Sequence, residues 1–256
     1  MKDNFSIHSD NYKKYRPNYP SDFYKYLNSI LPSKIKAWDC GTGNGQVAFE
    51  LAKTFNSVFA TDISHSQIDN AIQGDNIFYS IQPAEKTNFE AQQFDLIIIA
   101  QAIHWFDFDK FYKEVRRTAK DNALICVIGY GRLQVSKKID ALITKFYKNT
   151  IGIYWDEERK YIDQNYQTIP FPFDEIEVPK FTNSLYWTFE HLMGYINTWS
   201  AVKHFIKKNG FNPTDKLRLQ IEEQWGFEIK REINFPLLLR IGIKSQLPTM
   251  YKRNAG

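Results

Sequence analysis

The chain has 256 residues, enough for one large domain or a core with a smaller elaboration. Its 43% hydrophobic and 24% charged residues suit a globular protein, and its net charge of +4, spread in short pairs such as Lys137–Lys138 and Lys207–Lys208, forms no basic stripe of the kind nucleic acid requires. The polar start MKDNFSIHSD has no apolar stretch for a signal peptide, no run is long enough for a membrane helix, and Cys40 and Cys126 fall in apolar patterns that suit reduced buried thiols rather than a metal site or a disulfide framework. A cytoplasmic protein with no metal and no membrane partner is expected.

Residues 1–32 read as an N-terminal arm, with the aromatic and basic stretch NYKKYRPNYP, followed by a helix. Ser21 is placed to cap that helix, which carries Phe23, Tyr24, Leu27 and Leu31 at helical spacing. Residues 33–130 alternate strand and helix. A strand at 35–38 runs into a glycine turn, and a helix follows over 46–54. A second strand at 58–60 ends near Asp62, and Ser64 can cap a helix carrying Ile68, Ala71 and Ile72. A third strand falls at 77–80. FDLIIIA, residues 94–100, is continuously apolar and β-branched, as a parallel strand covered on both faces must be. A helix at 109–120 and a strand at 123–129 complete this half. Residues 131–227 form a helical and irregular acceptor-side region, with helical patterns at 136–148, 156–167, 188–209 and 214–225 and an irregular strand within 170–187. A closing strand region spans 228–243, where Pro236 points to an edge or a bulge. Together these predict a single α/β domain over 1–256, with a doubly wound, mostly parallel sheet and helical insertions covering the cleft.

Ligands of such sheets bind at the carboxyl ends of the strands. The stretch WDCGTGNG places Gly41, Gly43 and Gly45 at such an end, ahead of a helix N-terminus whose free amides favour polar or anionic ligands. A dinucleotide fingerprint would need glycine where Gln46 stands, and the phosphate loop ending in lysine is absent. Asp39, two residues before the first glycine, suits an ammonium-bearing ligand better than a pyrophosphate. Asp62, 21 residues after Gly41, is placed either to accept both ribose hydroxyls or to cap the next helix.

On WDCGTGNG, VFATDIS, QPAEKTNF and FDLIIIAQAIHWFD, in that order, the chain resembles the class I S-adenosylmethionine-dependent methyltransferases. YRPNYP, AQAIHWFD and NTWSAVKHF look more narrowly like the small-molecule subgroup similar to trans-aconitate methyltransferase. The resemblance implies a seven-stranded Rossmann-like sheet, S-adenosylmethionine as cofactor and S-adenosylhomocysteine as product. It implies that Gly41, Gly43 and Gly45 line the methionine portion, that Asp39 orders its amino group and that Asp62 holds the ribose. Ile63 would pack on the adenine, Ala84 and Glu85 would border its amino group, and Gln101 and Ala102 would lie near the sulfonium.

On the acceptor side, His104 is a candidate general base, since imidazole titrates near neutrality, or else a hydrogen-bond partner of a neighbouring loop. Trp105 and Phe106 follow it as candidate aromatic walls. Tyr12, Tyr15 and Arg16 in the arm, and Trp199 and Ser200 in the helical region, are the candidate roof of a small acceptor pocket. The predicted reaction is methyl transfer to a small molecule, with carboxylic acids among the candidates. The rival readings are an RNA or protein methyltransferase on the same fold and a non-catalytic S-adenosylmethionine-binding protein. The segment A-Q-A-I after the fourth strand lacks the proline pair expected of amino-methylating nucleic-acid enzymes.

Overall fold

The computed structural model describes residues 15–245. Its first half runs α1 (Ser21–Ile30), β1 (Lys36–Cys40), α2 (Gln46–Ala52), β2 (Ser57–Asp62), α3 (His65–Asp69), β3 (Ile77–Ile81), β4 (Phe94–Ala100), a 3-10 turn (Ile103–Trp105), α4 (Phe108–Thr118) and β5 (Ala119–Tyr130). The second half runs α5 (Lys137–Lys145), α6 (Arg159–Asp163), β6 (Asp174–Ile176), β7 (Thr182–Trp187), α7 (Phe189–Asn197), α8 (Ser200–Asn209), α9 (Thr214–Trp225) and β8 (Arg231–Ile243).

The sheet order is β3-β2-β1-β4-β5-β8-β6, with β7 also on β8. Strands β1 to β5 are parallel, and β8 runs antiparallel to β5. The chain order reverses between β1 and β4, which opens a crevice at their carboxyl ends. Eight strands fill seven positions across the sheet. Asn234 exchanges backbone bonds with Gln134 on the β5 side, so β7 takes the other edge of β8, the edge that β6 occupies further along.

β4 shows why the sheet is covered twice. Ile97 and Ile99 join Trp38, Phe94, Phe111 and Val115 on one face, while Leu96 and Ile98 join Phe23, Leu27, Val47 and Leu51 on the other. Alternation along one strand thus feeds two cores. A third cluster, including Ile143, Leu192, Ile196, Trp199, Ile221 and Trp225, holds the second-half helices together and reaches the sheet through Phe235. Among the described residues no helix is long and apolar enough to cross a membrane.

Several local expectations are corrected. Ser21 is the first residue of α1, not its cap; Pro20 holds that position. Ser64 does cap α3, accepting from the Gln67 amide at 3.3 Å, but the helix stops at Asp69, short of Ala71 and Ile72. β8 is not an edge strand, since β5 flanks it on one side and β6 and β7 on the other. Pro236 still takes part in pairing through its carbonyl, which accepts from the Gly131 amide just past the end of β5 at Tyr130. The helical stretch 188–209 is two helices, broken at Thr198 and Trp199.

Candidate active site

The glycine turn joins β1 to α2 with φ of +72°, +56° and +80° at Gly41, Gly43 and Gly45. Gly45 has a packing reason as well: a Cβ there would lie 2.1 Å from the Tyr79 hydroxyl. A Cβ on Gly43 would meet only Gln67 Oε1, at 3.7 Å. The glycines therefore divide their work. Gly41 and Gly43 line a cleft with about 930 Å³ of empty space including its open mouth, whereas Gly45 backs onto Tyr79 away from it. The expectation that all three line the cleft is corrected to two.

Asp62 closes the far side of the turn. Its Oδ2 accepts from the Gly43 amide and its Oδ1 from the Ser64 amide, each at 2.9 Å. Asp62 lines the cleft, and the cap of the following helix, the other role considered for it, falls to Ser64. Ile63 also lines the cleft. Asp39 lies beneath the turn, fully buried, and accepts from the Thr42 hydroxyl at 2.5 Å. Its Oδ1 has no hydrogen-bond partner among the described residues. Burial pushes its carboxyl up to about 7 against the opposing pull of the Thr42 hydroxyl, and the nearby Asp62 charge adds to the rise. Asp39 is not part of the cleft wall.

Ala84 and Glu85 are also placed away from the wall. Ala84 is buried in the core cluster with Phe106, and Glu85 accepts from the Asp107 amide at 3.1 Å ahead of α4. Their expected contact with an adenine ring is not part of this cleft.

At the end of β4, Gln101 takes φ +57°, a costly conformation for a residue with a side chain. It is held there by a reciprocal pair with Tyr130, whose amide donates to Oε1 at 3.2 Å and whose carbonyl accepts from Nε2 at 3.3 Å. The Tyr166 hydroxyl donates to the same Oε1 at 3.2 Å. Ala102 and Phe106 line the cleft beside Gly41.

A second cavity, about 610 Å³ with its mouth, lies on the other side of a shared wall formed by Arg16, Gln101 and Trp105. His104, Trp199 and Ser200 line it, as foreseen, together with Trp155, Asp156, Arg159 and Lys203. The convergence of arm, post-β4 loop and α8 on one cavity therefore holds for Arg16, His104, Trp105, Trp199 and Ser200. Phe106 belongs to the first cleft, and Tyr15 lines neither. Tyr15 packs instead on α7, with its ring edge-on to His191 at 5.2 Å and against Gly194. Tyr12 lies outside the described residues.

Arg16 ties these parts together. Its Nη1 donates to the Tyr130 hydroxyl at 3.1 Å, its Nη2 donates to the Thr198 carbonyl at 3.4 Å, and its guanidinium lies over the Tyr195 ring at 5.2 Å. His104 is buried, 3.4 Å from the Tyr166 hydroxyl. Burial, reinforced by the Arg159 charge, lowers its pKa to about 3. So weak a base captures few protons, and of the two roles considered for His104 the hydrogen-bonded one, beside the Tyr166 hydroxyl, fits better than that of general base.

Arg159 and Lys203 were not foreseen. Arg159 lies over the Trp155 ring at 4.6 Å and donates from Nε to the Tyr147 hydroxyl at 2.8 Å. Its Nη1 and Nη2 make no hydrogen bond among the described residues, which leaves the fork free. Lys203 has no hydrogen bond or ion pair among the described residues, and burial with the nearby Arg16 charge lowers its pKa. Arg159 carries no local sequence signal that separates it from a solvated charge, whereas Lys203 lies within NTWSAVKHF, where the motif drew attention only to Trp199 and Ser200.

Residues 38–127 match the family model described as a methyltransferase domain. A Dictyostelium discoideum protein classed as a methyltransferase is 32% identical over 250 residues, covering 94% of this chain and 95% of its own. A structure from Anaeromyxobacter dehalogenans, classed among type II methyltransferases, is 33% identical and superposes with a TM-score of 0.84 over 91% of this chain and 99% of its own. A Saccharomyces cerevisiae protein, CRG1, named as an S-adenosylmethionine-dependent methyltransferase, is 24% identical over 65% of this chain and 59% of its own. The chain belongs to the class I S-adenosylmethionine-dependent methyltransferases.

Proposed function

We propose that this protein transfers a methyl group from S-adenosylmethionine to a small acceptor that carries an anionic group, with carboxylic acids the first class to test. The observation that carries the acceptor reading is the second cavity, where Arg16, Arg159 and Lys203 stand against a single carboxylate, Asp156. Arg159 supplies the specific part. Its plane is held by Trp155 and Tyr147, and its unused fork suits two-point recognition of a carboxylate or phosphate.

The first cleft fits the cofactor on its own chemistry. It offers a turn of amides at a helix start, a carboxylate fixed at Asp62, and open space over Gly43. The buried Asp39 carboxyl lies beneath the turn, and an ammonium group above it would favour its ionised form. When bound, the cofactor supplies a methyl group already activated on sulfur. Gly41 and Gly43 would hold its methionine end, Asp62 its ribose, and Ile63 an adenine face. Gln101, Ala102 and Trp105 then stand where the two cavities meet.

The protein's task is alignment and exclusion of water. Holding the acceptor in line with a reactive group is worth up to ~7–11 kcal/mol in favourable intramolecular cases. Arg16, bridging Tyr130 and Thr198, closes the arm over that junction. A carboxylate acceptor needs no base, which agrees with a His104 held neutral by burial. A cavity of this size also suits a metabolite better than a polynucleotide. The test is transfer of labelled methyl to panels of small carboxylic acids, phenols, amines and RNA. Transfer to acids that Arg159→Met abolishes is expected; transfer to RNA alone would overturn the proposal.

A further inference from the structure

The second cavity carries both signs of charge. Lys203 and the Arg159 fork line it and make no hydrogen bond among the described residues, Arg159 having only the 3.8 Å ion pair from Nε to Asp163. Asp156 lines the same cavity. Its side chain makes no hydrogen bond or ion pair among the described residues, and its Oδ2 is buried. A buried carboxylate oxygen without a donor is rare in native structures and calls for an explanation. Asp156 and Arg159 sit one turn apart, joined by the Arg159 amide donating to the Asp156 carbonyl at 3.0 Å. Even so, their side chains do not pair: Arg159 spends its Nε on Tyr147 and has Asp163 as its nearest carboxylate, at 3.8 Å.

Opposite charges that line one cavity without pairing constrain the ligand it takes. Were the cavity shaped for a simple anion, an unneutralised carboxylate in its wall would repel that anion and weaken binding. Were it shaped for a cation, Lys203 and Arg159 would do the same. A ligand bearing both an anionic group and a hydrogen-bond donor satisfies both sides at once. Building on the proposed function, we infer that the acceptor is bifunctional: its anionic group is read by Arg159 and Lys203, and a hydroxyl or ammonium group on the same molecule donates to Asp156. Asp156 is then a specificity-determining residue that separates hydroxy or amino acids from plain acids of the same length.

The test is calorimetric titration of the protein saturated with S-adenosylhomocysteine. The probes are butyrate and hexanoate and their ω-hydroxy and ω-amino derivatives. At the better-fitting length, a hydroxy or amino acid is expected to bind at least tenfold tighter than the plain acid. Asp156→Ala should bring that ratio close to one. Asp156→Asn, which keeps the volume and removes the charge, should lower the preference for the amino compound more than that for the hydroxy compound, and it serves if the alanine variant does not fold. Lys203→Met should weaken every probe together. If the plain acids bind and the bifunctional ones bind no better, this inference is overturned while the anionic reading stands. If no probe binds, both fall.

Discussion

Asp62 and Gly43 are joined by a 2.9 Å hydrogen bond from the glycine amide to the carboxylate Oδ2, so the residue placed to hold a ribose also pins the loop expected to hold the methionine end. The same carboxylate reaches Ser64 through Oδ1, so one side chain fixes both lips of the cleft. This makes Asp62 the point at which loop geometry and cofactor affinity depend on each other.

Asp62→Ala should therefore cost more than a ligand contact alone. Hydrogen bonds to a charged group are worth about 1.5–3 kcal/mol each, and every 1.4 kcal/mol is about tenfold in affinity. Cofactor affinity by calorimetry is expected to fall at least tenfold. An unchanged dissociation constant would restrict Asp62 to support of the turn.

Gly43 and Gly45 should fail in different ways when enlarged. At Gly45 the Tyr79 hydroxyl occupies the place of a Cβ, and φ is +80°. Gly45→Ala is expected to destabilise the fold by roughly 1–3 kcal/mol, from strained backbone and forced movement of Tyr79. Gly43→Leu carries backbone strain at φ +56° as well but no clash, its Cβ meeting only Gln67 Oε1 at 3.7 Å, so it should cost less stability than Gly45→Ala while blocking the cofactor. Thermal denaturation paired with calorimetry reads the two effects. A Gly43 variant that still binds at parental affinity would remove the loop from the binding site.

The pH dependence of stability contains two opposing slopes. Asp39 has its folded pKa raised from 3.8 to about 7, so its folded form binds the proton more tightly and stability falls as pH rises from about 4 to 7. His104 has its folded pKa lowered from 6.5 to about 3, so the stability it carries is complete above about 6.5 and is lost as pH falls toward 3. Between about 4 and 6.5 the two nearly cancel. Asp39→Asn should unmask the histidine slope, with stability rising with pH through that window. His104→Gln should unmask the aspartate slope, with stability falling. Each slope is at most about 1.4 kcal/mol per pH unit, measurable by urea denaturation at a series of pH values. Identical profiles for both variants would show that neither group shifts as described.

Acceptor and cofactor binding should separate at Arg159 and Lys203, since both line only the second cavity. Arg159→Met and Lys203→Met are expected to raise the acceptor KM by tenfold or more and leave the cofactor dissociation constant within about twofold. Arg16, which lines both cavities, should affect both when replaced by alanine. Equal losses in cofactor affinity at Arg159 and Arg16 would contradict this division.

The sheet half was legible because its signals are local. β4 stands at Phe94–Ala100, where continuous β-branched residues mark it, and the glycine turn and Asp62 sit at the strand ends that the alternation of elements predicts. The limits of local reading show at Gly45, Ala84 and Glu85. Their spacing suits a ligand role, but Gly45 answers to the Tyr79 ring and Glu85 to the Asp107 amide. His104 shows the same limit in chemistry, because a histidine's basicity depends on how deeply it is buried.

By itself the sequence determined the order of elements in the first half, the place of the glycine turn and the family. Hydrophobic period, turn glycines and a carboxylate at a strand end act over a few residues and survive as pattern. Only the tertiary structure decided the second cavity. It assembles Arg16 from before α1, Gln101 and His104 from after β4, Asp156 and Arg159 from around the start of α6, and Lys203 from α8. The Arg16 bond to Thr198 alone spans 182 residues of chain. Which charges meet, and which are left without a partner, depends on how the second-half helices pack onto the sheet, and that packing leaves no periodic trace around a lone arginine or lysine.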